Sequence, residues 1–273
     1  MTEQQLSKRI YKLLMDNMET GGGGDKPDFH FTRPSPERYP YQFFWDTCFH
    51  VFILCNLHES EMAQKHLRSM FAFQKEDGFV GHMIYWDRLR PGRFTDFLQS
   101  LPRFKNLYKS HMSAIIQPPM AAQAVERVHN ISKDDKFLKE MFPKLKAQYD
   151  WLSANRDFDG DGLLSIISPF ESGMDWKPTF DIPLNFGPKK ANKKLFWKVV
   201  GVDFRNYIHN YNLQKIRQKN YFLVKEVGFN AIYAQNLRVM ANLADLMDDP
   251  ESKKYNDLAE KVEKSILEIM YND

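Results

Sequence analysis

The chain has 273 residues, 43% of them hydrophobic and 14% aromatic, which is enough to close a large core and too apolar for a disordered protein. Its 38 Lys and Arg residues exceed its 35 Asp and Glu residues by +3, so it has no large positive field to hold nucleic acid or an anionic membrane. We therefore expect a globular protein whose partners are neutral.

The N-terminal residues MTEQQLSKRIYKLL are polar and mixed in charge, unlike a secretory signal or a transit peptide. The longest apolar run, FHVFILCNL, is too short to cross a bilayer. Cys48 immediately before this run and Cys55 within it would lie roughly 10 Å apart on a helix, too far to bond to each other. Reduced thiols indicate the cytoplasm, although a chain that had lost its leader would look the same.

Apolar spacing predicts helices along most of the chain. A first helix carries its apolar residues from Leu6 to Leu14, and the glycine run 21–24 is predicted to be a flexible connection after it. Residues 44–57 are nearly all apolar, as in a helix buried on most sides, whereas 59–75 mixes apolar with charged residues. The same pairing recurs at 112–128 with 136–152 and at 227–247 with 255–269.

This alternation of buried and half-exposed helices predicts an all-α fold, because no convincing stretch of alternating apolar and polar residues intervenes. Inner helices shielded by outer ones suit a helical solenoid or a closed ring. A solenoid that binds peptides on its concave surface would show a repeat of near-constant length, and the irregular spacing here shows none. We expect residues 1–273 to form a single domain.

Two predicted connections are longer than helix-to-helix turns usually are, namely 76–111 and 154–194. Both are rich in aromatic, acidic, Gly and Pro residues, as are ordered loops that build a site on a rigid scaffold. A third candidate segment, YPYQFFWD at 39–46, leads into the first buried helix. The charge run PKKANKKLFWK at 188–198 is predicted to be a solvated turn.

Asp46 follows Trp45 and precedes an almost wholly apolar helix, so its carboxylate is expected at the mouth of the core. A buried carboxylate must be matched by hydrogen bonds. Asp46 is therefore either the N-cap of this helix, accepting backbone N–H groups, or a functional acid.

Three further side chains have two interpretations each. Gln117 precedes Pro118 and Pro119, so its amide either caps the following helix or contributes to a site at that helix entrance. His82 and Trp86, in GHMIYW, lie in an aromatic loop where they are either structural or ligand-binding.

The segment RDFDGDGLLSI has Asp157, Asp159 and Asp161 in the alternation that opens an EF-hand calcium loop. The twelfth position of that loop needs a bidentate Glu, and here it is Ser168, which argues against an EF-hand. Two interpretations remain open. One is a different calcium site that uses a later carboxylate, and the other is an acidic turn held by Asx hydrogen bonds.

The segment SPFESGMDW, residues 168–176, places Glu171 and Asp175 four positions apart in a stretch unsuited to helix. Hydrolysis of a glycosidic bond requires one carboxylic acid to protonate the leaving oxygen and a second carboxylate on the opposite side. Neighbours in one loop approach from the same side, so we predict that one is the acid and the other orients groups or binds sugar. Gly173 allows a tight turn that points Asp175 inward, and Trp176 can raise a carboxyl pKa as an apolar wall.

The motifs YPYQFFWDTCFH, QKEDGFVGHMIYW, QPPMAAQAV, DFDGDGLLSIISPFESGMDW and VGFNAIYAQNL occur in an order that resembles glycoside hydrolase family 63. The similarity includes its bacterial relatives, the α-glucosidase and mannosylglycerate-hydrolase-like proteins, and more distantly the trehalases of the same all-helical clan. It extends from about residue 39 to the end of the chain.

The resemblance implies an (α/α)6 toroid of inner and outer helices and an inverting hydrolase of α-glucosides or α-mannosides. By its motif Asp175 would be the general acid, Asp46 and Trp45 would hold the sugar to be cleaved, and Gln117 would line the same subsite. Glu171 would be a supporting residue in that site. Further assignments, made by position within the motifs, are Tyr41, His82, Trp86 and Asn230. No cofactor is implied, and calcium at Asp157, Asp159 and Asp161 stays open.

The chain departs from the family in two ways. Trp176-Lys177-Pro178 stands where many relatives have Asn-Ser-Pro, which leaves specificity for the leaving group open. The family's catalytic base is a Glu in the last third of the toroid, and we count about eight helices here against the twelve of a complete ring. We therefore expect a fragment that lacks the base, is inactive alone and exposes apolar faces of inner helices.

Two other functions remain open from sequence. One is a carbohydrate-binding relative that keeps Trp45, Asp46 and Asp175 but has no activity. The other is a different toroid enzyme, a sugar epimerase or polysaccharide lyase, which would need a His or Tyr proton carrier in the cavity. The candidate proton carriers are His50, His82 and His111.

Overall fold

The structure, a computed structural model, describes residues 1–24, 26–86, 94–99, 111–187, 190 and 192–271. Ten α-helices and four short β-strands occur within these residues. The helices are α1 (Glu3–Asp16), α2 (Phe44–Asn56), α3 (Ser60–Met70), α4 (Phe94–Leu98), α5 (Ala121–Ser132), α6 (Asp135–Arg156), α7 (Lys193–Ile208), α8 (Leu213–Lys219), α9 (Val227–Leu246) and α10 (Ser252–Ser265). The strands are β1 (Met18–Gly23), β2 (Lys26–Thr32), β3 (Gln42–Phe43) and β4 (Met83–Ile84).

Inner and outer helices alternate along the chain. The inner helices α2, α5 and α9 pack side by side, α2 against α5 and α5 against α9. The outer helices cover them: α3 contacts α2 and α5, α6 contacts α5 and α9, and α10 contacts α9. Each inner helix buries several apolar residues, which are mainly aromatic and aliphatic in α2, Ala and Val in α5, and a mixture of these types in α9. The prediction of an all-α toroid arrangement is confirmed.

The glycine run is not a flexible connection but part of a β-hairpin. Strands β1 and β2 pair antiparallel, with Met18 opposite Thr32 and Gly21 opposite Phe29. Gly22, Gly23 and Gly24 have positive φ, which allows the tight return of the chain. In β2 the side chain of Phe31 is buried in the main core, and the backbone N–H of His30 donates to Ser69 Oγ at 2.8 Å, so the hairpin is held by α3.

Helix boundaries differ from the predictions where proline or a short element intervenes. The helix predicted for 112–128 begins only at Ala121, because Pro118 and Pro119 keep the preceding residues extended. Helices α4, α7 and α8 were not predicted. Helix α7 begins inside the charge run, where Asn192 caps it by accepting from the N–H groups of Lys194 and Leu195.

The predicted long loops form the end of the molecule that carries the site. The loop predicted for 76–111 lies partly outside the described residues. The loop at 154–194 contains two short 3-10 turns, Pro169–Ser172 and Pro178–Phe180. Both cysteines are free thiols buried in α2. In the part of the chain that the structure describes, no helix has the length and hydropathy needed to span a membrane.

Candidate functional site

A cavity of about 690 Å³ opens at the N-terminal end of the inner helix α2. Its lining comes from the segment before α2, the loop with His82, α4, the segment with Gln117, the 168–176 loop and α7. Of the residues singled out from sequence, it brings together Trp45, Asp46, His82, Gln117 and Asp175. Aromatic rings form much of the wall, contributed by Tyr39, Phe43, Trp45, Phe94, Phe170, Trp176, Phe196 and Trp197.

The N-terminus of α2 is held by two distant segments instead of a local cap. The N-cap residue is Phe43, which has no side chain able to accept a hydrogen bond. The carbonyl of His82 accepts from Phe44 N–H at 2.8 Å, and Gln117 Oε1 accepts from Trp45 N–H at 3.0 Å. Asp46 is the third residue of the helix, so its interpretation as an N-cap is wrong. Gln117 does cap a helix, but that helix is α2 and not α5, which follows it.

Asp46 and Asp175 both line the cavity, and the negative charge of Asp46 affects the ionisation of Asp175. Burial raises the pKa of the Asp46 carboxyl to about 6. Burial, together with the charge of Asp46, raises the pKa of Asp175 to about 7, while the nearby Arg38 guanidinium acts in the opposite direction. At neutral pH a substantial fraction of Asp175 is therefore protonated and able to donate a proton.

The turn before Asp175 packs directly on Trp45. Gly173 has φ of +69°, and a Cβ at this position would overlap the six-membered part of the Trp45 indole. Only glycine therefore permits both the turn and this close approach. The contact links the acid-bearing loop to the first turn of α2, where Asp46 lies.

Glu171 is in the protein core, although it shares the SPFESGMDW motif with Asp175. Its carboxylate is fully buried and forms a two-point ion pair with Arg156, with N–O distances of 2.8 and 2.5 Å. It also accepts from the backbone N–H groups of Ile116 at 3.0 Å and Ile167 at 2.7 Å. All four donors are protein groups, so this carboxylate stabilises the segments that form the site and does not line the cavity itself.

The other predicted site residues lie at different distances from the cavity. His82 lines it, with Nδ1 2.6 Å from Ser113 Oγ, and burial lowers the pKa of its imidazole to about 3. Trp86 is buried away from the cavity, where its indole N–H donates to Gln42 Oε1 at 3.0 Å. Tyr41 is buried beside the cavity wall in a cluster with Phe43, Met83 and Tyr85.

The Asn230 side chain forms hydrogen bonds with backbone groups. It is fully buried in α9 and does not line the cavity. Its Oδ1 accepts from Leu164 N–H at 2.7 Å, and its Nδ2 donates to the carbonyls of Leu164 and Glu226 at 2.9 and 3.0 Å. It therefore fastens the end of the acidic turn to α9.

The carboxylates of the acidic turn are engaged by protein groups. Asp157 accepts from the N–H groups of Asp161 and Gly162 at 3.1 and 2.9 Å, in the manner of an Asx turn. The Lys225 ammonium lies 2.7 Å from Asp159 and 2.5 Å from Asp161. Among the described residues, no group of three or more His, Cys, Asp or Glu side chains is arranged to hold a metal ion.

Several lining residues were missed by sequence reasoning. They are Arg38, Phe196 and Trp197, together with Thr95, Asp96 and Gln99 at α4. The short segment FTDFLQS lies within the long loop already predicted to build a site, and its polar residues among aromatic ones were the available signal. Local sequence gave no signal for Arg38 or Trp197, because only the packing of distant segments brings them to the cavity.

The scaffold and the cavity together define an all-α toroid protein with an acidic, aromatic-lined site at the end of an inner helix, and the comparisons support a member of a glycoside hydrolase family 63-like group. The chain belongs to the mannosylglycerate hydrolase MGH1-like glycoside hydrolase domain family, whose model matches residues 39–273.

Known relatives agree with this membership. Mannosylglycerate hydrolase MGH1 of Selaginella moellendorffii is 32% identical over 177 residues, which cover 62% of this chain and 33% of the relative. Mannosylglycerate hydrolase of Thermus thermophilus is 28% identical over 246 residues, which cover 81% of this chain and 58% of the relative. The crystal structure of GH63 mannosylglycerate hydrolase from another strain of Thermus thermophilus, with Tris and D-glycerate, has a TM-score of 0.78 at 26% identity, covering 95% of this chain and 65% of that one. The chain thus spans less than two thirds of the length of each.

Removal of the buried carboxylate should strongly destabilise the fold. In Glu171→Ala the Arg156 guanidinium is left in the core without its counter-charge, so we expect a loss of about 3–5 kcal/mol in the free energy of unfolding, measured with urea. The control is Asp257→Ala, which breaks an exposed ion pair with Lys253 on α10 and should leave stability nearly unchanged. Equal losses in the two variants would contradict the role given to Glu171.

The contact between Gly173 and Trp45 can be isolated by comparing two glycines with the same backbone conformation. Gly160 has φ of +70°, and a Cβ there would contact nothing within 4 Å. Gly160→Ala should therefore cost only the strain of a left-handed alanine, about 1–2 kcal/mol. Gly173→Ala adds the overlap with the indole, so it should lower the melting temperature further and change Trp45 fluorescence. Indistinguishable variants would show that the turn does not rest on Trp45.

Proposed function

We propose that this chain forms the acid-bearing part of an inverting glycoside hydrolase that acts on a small α-glucoside or α-mannoside. The observation that carries the proposal is the position of Asp175, which lines an aromatic-walled cavity together with Asp46 and has a pKa raised to about 7. A carboxylic acid that is still protonated in a substantial fraction of molecules at neutral pH is what a leaving glycosidic oxygen needs.

The sugar to be cleaved is proposed to lie against Trp45, with its hydroxyls held by Asp46 and Gln117. Gln117 Oε1 is occupied by the backbone of α2, which leaves its Nε2 as the donor toward the cavity. His82 is neutral at physiological pH, because burial lowers its pKa to about 3, and it can hold a hydroxyl without adding charge. Aromatic walls and polar groups together suit a pyranose ring, which has apolar faces and a hydroxylated edge.

The leaving group is proposed to carry a carboxylate, as in the glycerate glycosides named for the relatives. Arg38 supports this, since it is the one Lys or Arg side chain among the described residues that line the cavity. The neutral partner predicted from net charge would then be replaced by an acidic one. A guanidinium matches the two oxygens of a carboxylate in a planar fork.

The catalytic base is proposed to be a Glu outside the described residues. The carboxylates that line the cavity within the described ranges are Asp46, Asp96 and Asp175, and none is a glutamate. Helix α7 also exposes Trp197 (62%) and Phe204 (48%) on one face, and an exposed apolar face of this kind is a surface on which further helices can pack. We therefore expect little or no turnover from this polypeptide alone.

The epimerase or lyase alternative receives less support. A pair of imidazoles facing the cavity, with Asp175 turned away, would favour it. Among the described lining residues His82 is the one imidazole, and Asp175 is present. His111 instead stacks on Phe73, with ring centroids 4.1 Å apart, and His50 does not line the cavity.

The cytoplasmic location remains part of the proposal, supported by the free thiols in α2.

Sugar binding by the full chain tests the proposal without requiring turnover. Trp45, Trp176 and Trp197 line the cavity, so tryptophan fluorescence should change saturably on titration with mannosylglycerate, mannose or glucose. Asp46→Asn should weaken binding by at least about tenfold, since a hydrogen bond to a charged group is lost. Asp257→Asn on the outer face of α10 is the control and should bind normally.

A wild-type chain that gives no saturable signal, or that binds equally well without Asp46, would argue against this function. An inactive carbohydrate-binding relative would bind sugar and remain inactive as the full-length protein. Rapid hydrolysis that depends on Asp175 would instead show that a base lies within these residues.

Because the pKa of Asp175 is raised, replacing this residue should stabilise the fold by an amount that depends on pH. The folded pKa of about 7 lies above the ordinary value, so the folded chain holds a proton that the unfolded chain releases, and Asp175 costs stability as pH rises from about 4 to 7. Asp175→Asn should therefore melt at a higher temperature than wild type at pH 8, and the difference should shrink toward pH 4.5. Asp257→Asn serves as the control. A difference that is constant with pH, or that grows on acidification, would contradict the assigned pKa.

A further inference from the structure

A buried carboxylate lies beneath the cavity, and the proposed reaction does not use it. Asp203, in the middle of α7, is 1% exposed and does not line the cavity. Its Oδ2 accepts from Gln99 Nε2 at 2.8 Å, and its Oδ1 is 2.6 Å from Ser168 Oγ. Ser168 begins the loop that carries Asp175. Asp203 therefore connects α7, the acid-bearing loop and Gln99.

Gln99 is fixed in place by its backbone. Its carbonyl accepts from Ala114 N–H at 2.7 Å, and its N–H donates to the Thr95 carbonyl at 3.1 Å. The carbonyl of the preceding residue, Leu98, accepts from the Tyr211 hydroxyl. The side chain is only 4% exposed, yet it lines the cavity. Such a residue has one well-defined side-chain position, and the remaining question is which end of its amide faces the cavity.

Asp203 determines that orientation. A carboxylate has no N–H to offer, so the Gln99 end that faces it must be the NH₂ group. Burial raises the pKa of Asp203 to about 7, so the argument holds for the ionised form and also for the neutral form with its proton on Oδ1, which donates to Ser168 while Oδ2 still accepts from Gln99. Gln99 Oε1 accepts no hydrogen bond from the described residues and is the end left to face the cavity.

We propose that Gln99 is a further substrate-binding residue whose Oε1 accepts a hydrogen bond from a ligand hydroxyl, and that Asp203 is the positioning residue that sets this orientation. The inference rests on the proposed sugar-binding function of the cavity. It deepens that function by naming a specificity group outside the motifs that carry the family resemblance.

Two amides of opposite polarity then line the cavity. Gln117 uses its oxygen to cap α2 and presents its NH₂ group, whereas Gln99 uses its NH₂ group on Asp203 and presents its oxygen. In each case a protein partner has already chosen the orientation, so no reorganisation is needed on binding. The matching ligand has one hydroxyl that accepts and another that donates, which is the chemistry of a polyhydroxylated ring.

The test measures sugar affinity by tryptophan fluorescence in three variants of the full chain. Gln99→Met removes the acceptor at similar volume, and Asp203→Asn offers an NH₂ group that permits the Gln99 amide to turn round. Each should weaken binding roughly tenfold, as expected for one lost hydrogen bond in a desolvated site. The double variant should bind no more weakly than Gln99→Met alone, because the amide oxygen introduced by Asp203→Asn can still accept from Ser168 and the change in binding comes from the orientation of Gln99.

A second readout does not depend on the stability of Asp203→Asn. It uses a series of sugars that each lack one hydroxyl. The sugar that lacks the hydroxyl bound by Gln99 should bind the wild-type chain roughly tenfold more weakly than the parent sugar does. The same deoxy sugar and the parent sugar should bind Gln99→Met with equal affinity. Circular dichroism and melting temperature show whether each variant is folded.

The outcomes separate this inference from the proposed function. If wild type binds sugar but Gln99→Met binds equally well, or if the two losses add in the double variant, the role of Gln99 and Asp203 is wrong and sugar binding stands. If wild type binds no sugar, both proposals fail together.

Discussion

The buried ion pair between Glu171 and Arg156 is the interaction on which the rest of the site depends. Glu171 also binds the backbone N–H of Ile116, and the next residue, Gln117, caps the helix that carries Asp46. One carboxylate therefore sets the positions of both the Gln117 segment and the loop with Asp175. A buried ion pair is costly unless every lone pair is matched, and here Arg156 and two backbone groups supply the match.

The site places carboxylates where ionisation is unfavourable, and this has a cost in stability. Asp46, Asp175 and Asp203 have pKa values raised by burial, so they lower stability as pH rises from about 4 to 7. His66 and His82 act in the opposite direction, because burial lowers their pKa values to about 3 and stability rises with pH up to the ordinary histidine value. Between about pH 4 and 6.5 the two sets therefore change stability in opposite directions, which makes its dependence on pH less steep.

Helical periodicity was sufficient to predict the inner and outer helices, because a buried helix and a half-exposed one differ in composition over many residues. It failed for short or irregular elements. The hairpin of β1 and β2 has a glycine-rich strand with little side-chain signal, and its stability comes from contacts of β2 with α3. Helix α4 has only five residues and packs against α7, so its existence as a helix did not follow from local sequence, although its segment lies in a loop predicted to build a site.

The amino-acid sequence by itself determined the helical class, the family and the motif that contains Glu171 and Asp175, since these depend on composition, spacing and order along the chain. Only the tertiary structure decided which acid of SPFESGMDW faces the cavity. Asp175 lines it, whereas Glu171, four residues earlier, is paired with Arg156 in the core. The same holds for Gln99 and Asp203, separated by more than a hundred residues, because an amide takes its orientation from a partner that local sequence does not contain.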